Sequence, residues 1–205
     1  MRKRLSQTIK DIKKNFLTRE QLLEQAASSS NAAALEAVEI LKEKQAFQDE
    51  SLHGADFSGA NLEHVRLARA ALKGVVLRGA RLRGCYLGAA IMDGADLQDC
   101  DLREANLREV QLPKANLQGA NLQGAHLAAA NLWSVQMQGA SLRHANLWSV
   151  RLHAANLKGA DLTDANLDHA QFDTDTILPD GMRWTASTEM ARFTDSQHPH
   201  YWRPT

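Results

Sequence analysis

The chain has 205 residues, and its 24 Lys and Arg residues balance 24 Asp and Glu residues, so the formal net charge is zero. This balance argues against a general polyanion binder, which should be basic, and against an overall acidic mimic of nucleic acid. Two cysteines are too few for a disulfide scaffold, and no apolar run approaches the roughly 20 residues that a membrane helix needs. We therefore expect a cytoplasmic protein with no membrane association.

Residues 1–45 predict a helical N-terminal cap. A first helix over residues 5–17 would place four apolar residues on one face: Leu5, Ile9, Ile12 and Phe16. The alternative to a cap is a segment that docks a partner or a second copy of the chain.

Two further helices are predicted in this cap. Thr18 followed by Gln21 is typical of a capping box, which predicts the start of the second helix. After a polar break at residues 28–31, the third helix is expected from about Ala32 to Lys44. Its inward residues would be Leu35, Val38 and Leu41.

From residue 47 onward the sequence repeats with a period of five. A large apolar residue occupies every fifth position from Phe47 to Ile177 without an insertion, and Ala, Val or Cys stands two residues before it from Ala55 to Ala170. A period of five fits neither the 3.6-residue helix nor the two-residue alternation of a strand. It fits a solenoid whose units are each a short extended side followed by a turn. The large residue and the small residue two before it would then both point inward.

These units, as in Ala105-Asn106-Leu107-Arg108-Glu109, resemble the A-(D/N)-L-x-x motif of the pentapeptide repeat proteins. The resemblance covers about two thirds of the chain. It implies an all-β solenoid over residues 46–177, a right-handed quadrilateral parallel β-helix with four repeats per coil. Residues 20 apart would stack in columns, and one interior ladder would be Leu62, Leu82, Leu102, Leu122, Leu142 and Leu162.

Residues 178–205 predict a capping tail. The repeat stops at Leu178-Pro179-Asp180-Gly181, which is a turn signal. The tail resembles an extension of some bacterial pentapeptide repeat proteins, and Trp184, Phe193 and Trp202 are expected to cover the last coil. Alternatively, the end at Tyr201 and Trp202 would bury against a symmetry mate in a homodimer.

The sequence predicts no catalytic, cofactor-binding or metal site. Cys85 and Cys100 occupy the small inward position, so we expect them to be core residues rather than nucleophiles. The segment Gly74–Gly79 has the glycine spacing of a P-loop but lacks the following Lys-Ser/Thr. The eight histidines are scattered, and no Ser-His-Asp arrangement is evident. The expectation is a protein that is not an enzyme and has no cofactor or small-molecule substrate.

Charged residues fall into a basic block at residues 63–84 and an acidic block at residues 93–109. With 20 residues per coil, opposite charges would stack on neighbouring coils, which predicts ordinary cross-strand pairs. The expected pairs are Lys73 with Asp93, Arg81 with Asp101, and Glu63 with Arg83.

Tryptophans supply the candidate interaction site. The segment Asn131-Leu132-Trp133-Ser134-Val135 is repeated as Asn146-Leu147-Trp148-Ser149-Val150. Each Trp follows an inward Leu, so both are expected to face solvent on adjacent sides across one edge. Arg151, His153 and His144 are expected nearby, with His153 above Trp133 in its column. Exposed Trp beside Arg is typical of protein-binding hot spots. The alternative is that the flanking segments fold back over the Trp pair.

The predicted function is a non-enzymatic scaffold that binds a protein partner of unknown identity. The resemblance implies a second candidate, because some pentapeptide repeat proteins imitate duplex DNA and protect DNA gyrase and other type II topoisomerases from inhibitors. Residues 46–177 hold 15 acidic and 12 basic residues with no acidic stripe on one side, which argues against that role. A third candidate is a structural unit that forms homodimers. Nucleic-acid binding through the basic block would require steep salt dependence and is not expected.

Overall fold

The computed structural model describes residues 17–48 and 52–203. Most of these residues form a stack of coils. In the described part of the chain, twenty parallel β-bridges join residues 20 apart, from Asp56 with Val76 to Arg151 with Gln171. Each coil therefore has four sides of one five-residue unit each, as the resemblance to the pentapeptide repeat proteins implies. The predicted helix at residues 5–17 lies outside the described residues except for Leu17.

Each side of the stack is defined by its column of bridging residues. Side A carries Asp56, Val76, Asp96, Asn116, Gln136 and Asn156. Side B carries Asn61, Arg81, Asp101, Asn121, Ser141 and Asp161. Side C carries Arg66, Tyr86, Asn106, His126, Asn146 and Asn166. Side D carries Ala71, Ile91, Gln111, Asn131, Arg151 and Gln171.

Backbone hydrogen bonds connect the coils, and a tight turn ends each side. Tyr86 N–H donates back to the Val65 carbonyl at 2.8 Å, and Leu87 N–H donates forward to the Asn106 carbonyl at 2.9 Å. Because every unit turns after one bridge, the β structure consists of isolated bridges rather than long strands. The last turn residue has a positive φ, which explains the frequent Gly at this position. At Gly84 the φ is +61°, and an added Cβ would lie 2.6 Å from Nδ1 of His64.

The interior is filled by the two predicted inward positions. Every member of the predicted ladder is at most 2% exposed: Leu62, Leu82, Leu102, Leu122, Leu142 and Leu162. The small positions are equally buried, as Ala120 at 0% shows. Since protein interiors are close-packed, a tube filled with leucine leaves room for only small residues at the second inward position.

Within residues 17–48, two helices precede the coils. Helix α1 spans Arg19–Ala26, and the predicted capping box is present, with the Gln21 N–H donating to the Thr18 hydroxyl at 3.2 Å. Helix α2 spans Asn31–Glu43, within one residue of the prediction at each end. Of its predicted inward residues, Val38 and Leu41 are buried and Leu35 is partly buried.

The segment that contains these helices contacts the first coil by hydrogen bonds as well as by apolar packing. Asn61 N–H donates to the Ser28 carbonyl at 3.0 Å, and Ala71 N–H donates to the Phe47 carbonyl at 2.7 Å. The Asn31 side chain also donates to the Asn61 carbonyl at 3.1 Å. Residues before the first coil therefore supply two acceptors and one donor that a preceding coil would otherwise supply.

The repeat shifts register by one residue near its end, so the prediction of an unbroken series through Ile177 is wrong. Asn156 bridges to Ile177 rather than to the residue 20 positions ahead, and Leu178 instead of Ile177 is buried at 2% exposure. The extra residue is accommodated by Asp173, whose carboxylate accepts from the Ala154 N–H at 2.8 Å where a backbone carbonyl accepts elsewhere. Thr176, fully buried, takes the small inward position.

The tail folds back over the last coil. Ile177 forms an antiparallel bridge with Arg183, and the Trp184 ring stacks on Phe172 with centroids 6.0 Å apart. Helix α3, Ala191–Thr194, buries Phe193 at 1% exposure. Trp202 meets Phe193 edge-on at 6.1 Å.

Thr176→Val tests how the register shift is held. The Thr176 hydroxyl accepts from the Asp173 N–H at 3.2 Å and lies 2.9 Å from the Leu152 carbonyl, to which it can donate. We expect Val to lower the free energy of unfolding by about 1–3 kcal/mol, because it removes the hydrogen bond to the Leu152 carbonyl and leaves the partly buried Asp173 N–H without its acceptor. Chemical denaturation measures the change. Thr174→Val, at an exposed neighbour, is the control, and equal stability of both variants with the parent would contradict this role.

Candidate protein-interaction site

Both tryptophans of the repeated segment are exposed. Trp133 is 43% exposed and Trp148 is 45% exposed. Neither the described N-terminal helices nor the described tail covers them. For the described residues, the alternative in which the flanks fold back over the pair is therefore wrong.

The structure places the two tryptophans at consecutive corners of the coil. Trp148 lies in the turn that leads from side C to side D, whereas Trp133 lies in the turn that leaves side D. The expectation that they flank a single edge is wrong, because the order of the turns puts the whole width of side D between them. Together they frame side D at the fourth and fifth coils.

Each tryptophan is held by a local hydrogen bond and by one neighbouring side chain. The backbone N–H of Trp148 donates to Oδ1 of Asn146 at 3.1 Å, and the indole ring meets the His169 ring edge-on with centroids 5.8 Å apart. The backbone N–H of Trp133 donates to Oδ1 of Asn131 at 3.3 Å. Nζ of Lys114 lies 5.2 Å from the Trp133 ring centroid, a cation–π geometry.

The structure brings only some of the predicted companions to this surface. Arg151 is exposed on side D, between the two corners. His153 lies one coil beyond Trp133, and its carbonyl accepts from the Ser134 N–H at 2.8 Å. Its ring makes no aromatic contact with Trp133 among the described residues. His144 lies at the corner between sides B and C and pairs with Asp164 at 3.5 Å, so it does not belong to side D.

Sequence reasoning missed two exposed apolar residues and the cation at Trp133. Tyr86 on side C and Ile91 on side D are each 47% exposed. They occupy the bridging position, which is mostly polar in this chain. A large apolar residue at that position was therefore a sequence signal for an exposed apolar side chain. Lys114 was missed because it lies 19 residues before Trp133 and therefore outside its column.

The ion pairs that arginines form between coils run across columns rather than along them. Arg83 pairs with Glu104 at 2.8 Å, and Arg143 pairs with Asp161 at 3.1 Å. The three predicted pairs are not among the ion pairs of the described residues. Asp101 pairs with Arg103 of its own unit instead of Arg81, and the hydrogen bond from Arg103 lowers the pKa of Asp101. The long arginine side chain reaches past its own column, which a column argument does not anticipate.

The two cysteines are unpaired and buried, as their repeat position predicts. Burial raises the pKa of Cys85 and of Cys100 to about 12. Because the thiolate is the reactive form, both residues are held as unreactive thiols at neutral pH. Across residues 17–48 and 52–203, no group of three His, Cys, Asp or Glu residues is arranged to hold a metal ion.

We therefore expect the folded protein to resist thiol labelling at neutral pH. A chromogenic disulfide reagent should react with neither cysteine over minutes and with both after denaturation. Replacing exposed Ser58 with Cys supplies the control, which should react at once in the folded state. Fast labelling of the native parent protein would contradict the buried placement of Cys85 and Cys100.

No helix in the described part of the chain is both long and apolar enough to cross a membrane.

The stacked five-residue units agree with a comparison against protein families. The model of the pentapeptide repeats matches eight copies, over residues 51–88, 80–119, 90–127, 120–159 and 149–173. These matches span more than half of the chain. The chain belongs to the pentapeptide repeat family.

Several solved structures are similar to this chain. HetL, a pentapeptide repeat protein involved in heterocyst differentiation regulation in the cyanobacterium Nostoc sp. strain PCC 7120, is 38% identical with a TM-score of 0.45. That match covers 64% of this chain and 62% of HetL, less than two thirds of the relative. A pentapeptide repeat protein of the Arabidopsis thaliana thylakoid lumen is 31% identical, covers 57% of this chain and 71% of that one, and has a TM-score of 0.43.

QnrB1, described as a plasmid-mediated fluoroquinolone resistance protein, is 14% identical over 59% of this chain and 71% of its own, with a TM-score of 0.47. No curated protein sequence matches the chain.

Proposed function

We propose that this protein is a non-enzymatic scaffold that binds a protein partner on side D. The observation that carries the proposal is the pair of exposed tryptophans, Trp133 and Trp148, which frame that side at consecutive corners. Tryptophan is among the residues that dominate binding energy, and an exposed apolar surface on a soluble domain marks an interaction site.

The character of side D supports protein recognition. Its column carries one charge, Arg151, among amide and apolar side chains, and the bridges keep its backbone rigid. A rigid surface loses little conformational entropy on binding, so more of the contact energy remains as affinity. Arg151 between two indole rings offers both a charge and a donor fork to a partner.

Protection of DNA gyrase stays a second candidate that the charges do not favour. The acidic residues Asp96 and Asp161 of sides A and B are each paired with an arginine, Arg78 and Arg143. A surface that imitates duplex DNA should instead present unpaired negative charge along one side.

The finer features of the fold are also proposals. We propose that the coil is right-handed, that α1 and α2 act as its N-terminal cap, and that residues 178–205 act as its C-terminal cap. A cytoplasmic location and the absence of a cofactor belong to the same proposal, as does a homodimer.

The experiment is a capture from a bacterial lysate with three baits: the parent chain, Trp133→Ala/Trp148→Ala, and the control Gln98→Ala/Gln118→Ala. The control changes turn residues at the corner between sides A and B. The proposal expects a specific protein that is lost only with the tryptophan variant, and circular dichroism verifies that all three baits are folded. Equal recovery with all baits would overturn the proposal, and gyrase subunits would favour the second candidate.

A further inference from the structure

The corner between sides C and D has opposite charges at its two ends. We name the C–D corner by its turn residues, at 68–69, 88–89, 108–109, 128–129, 148–149 and 168–169. Arg69 in the first coil and Asp168 in the sixth are both exposed, and neither forms an ion pair with another described residue. Arg108 and Glu109 in the third coil offset each other.

The same corner carries a concavity near one end and a projecting side chain near the other. The concavity has a volume of about 320 Å³ and extends from the first coil to the third, where Tyr86, Gly88 and Ala89 line it together with the charged residues Arg69, Arg108 and Glu109. Gly88 and Ala89 contribute few side-chain atoms to the lining, and Tyr86 is half-exposed. The projecting side chain is Trp148 in the fifth coil, which His169 contacts edge-on.

These four features are placed symmetrically about the middle of the six coils. A two-fold axis perpendicular to the stack, between the third and fourth coils, exchanges the first coil with the sixth and the second with the fifth. Gly88 then faces Trp148, since both are the first residue of their turn. Arg69, the second residue of its turn, faces His169, and Asp168 is the residue next to it.

We propose that the protein forms an antiparallel homodimer along the C–D corner, in which Trp148 of each copy enters the concavity beside Tyr86 of the other and Arg69 pairs with Asp168. This proposal rests on the proposed function, because it assigns a partner to Trp148.

A second copy fits this corner better than an unrelated partner does. A two-fold interface must be self-complementary, so a projection and its concavity, or a cation and its anion, must lie at equal distances from the axis. The corner meets this condition for both pairs. An indole ring that enters this concavity contacts a tyrosine ring and arginine side chains, and contacts among Trp, Tyr and Arg are the kind that dominate interface energy.

The charges permit a test by exchange. In solution the parent chain should have twice its mass of 22.6 kDa, as measured by light scattering or sedimentation. Arg69→Glu alone should weaken dimerisation by about tenfold or more, since two like-charged contacts then replace two opposite ones. Asp168→Arg alone should do the same. An equimolar mixture of the two variants should form a mixed dimer, because the carboxylate introduced in one copy then meets the guanidinium introduced in the other.

Lys158→Glu, an exposed position on the opposite corner, is the matched control and should leave the dimer unchanged. A monomeric parent chain, or a dimer that both single variants retain, would overturn the homodimer. Neither result would remove a tryptophan-dependent capture of a different protein, so failure here is distinguishable from failure of the proposed function. A dimer that forms in the mixture of Arg69→Glu and Asp168→Arg, but with neither variant by itself, would support the antiparallel arrangement.

Discussion

Phe193→Ala should lower the free energy of unfolding by about 3–5 kcal/mol, the range for truncating a buried phenylalanine. Phe193 is 1% exposed, and its ring meets the Trp202 ring edge-on. Cζ of the Arg192 guanidinium lies 4.8 Å from the centroid of the Phe193 ring. Its helix also fixes the last coil, because the Thr194 carbonyl accepts from the Asp164 N–H at 2.7 Å. Loss of the ring therefore weakens both the tail and the coil beneath it.

Urea denaturation followed by circular dichroism measures this change. Met182→Ala is the control, since Met182 is 63% exposed in the same tail and its truncation should change stability by less than about 0.5 kcal/mol. If the Phe193 variant unfolded at the same urea concentration as the Met182 variant, the tail would not be part of the cooperative structure.

Leu122→Ala should cost about 2–5 kcal/mol, because it opens a cavity in the middle of an interior ladder. Leu122 has no exposed surface, and Leu102 and Leu142 lie above and below it in the same column. Stability in a solenoid is a sum of coil and neighbour terms, so a cavity in the fourth coil weakens its contacts in both directions.

The control for this cavity lies in the same unit. Gln123 is the exposed turn residue that follows Leu122, so Gln123→Ala removes side-chain atoms without opening the interior. Thermal or chemical unfolding of the two variants gives the comparison. A Leu122 variant as stable as the Gln123 variant would contradict a tightly packed interior.

The regular part of the fold was predictable because one rule governs it. A large residue at every fifth position, with Ala, Val or Cys two before it, defines the inward face of each unit, and the ladder through Leu122 follows once the family resemblance implies four units per coil. The rule gave a wrong inward residue at the end of the repeat, where the prediction was Ile177. Asp175, two residues before Ile177, is charged and breaks the rule, whereas Thr176, which is close to Val in size, and Leu178 occupy the two inward positions one residue later. The register shift was therefore readable from the composition of that unit.

The candidate site was predictable in part. The exposure of Trp133 and Trp148 followed from their repeat position, because a residue after the inward Leu stands in the turn. Their contacts did not follow, since Lys114 and His169 approach them from neighbouring columns. Long side chains choose partners by reach and rotamer, which a one-dimensional pattern does not contain.

Site-specific photo-crosslinking in cells tests the central claim most directly, the claim that side D is a protein-binding surface. A photoreactive residue would replace Asn131 on side D in one variant and Asn121, the same residue type on side B, in a matched variant. The account predicts a discrete crosslinked protein adduct from position 131 and none from position 121. Adducts of equal yield from both positions, or from position 121 alone, would contradict it.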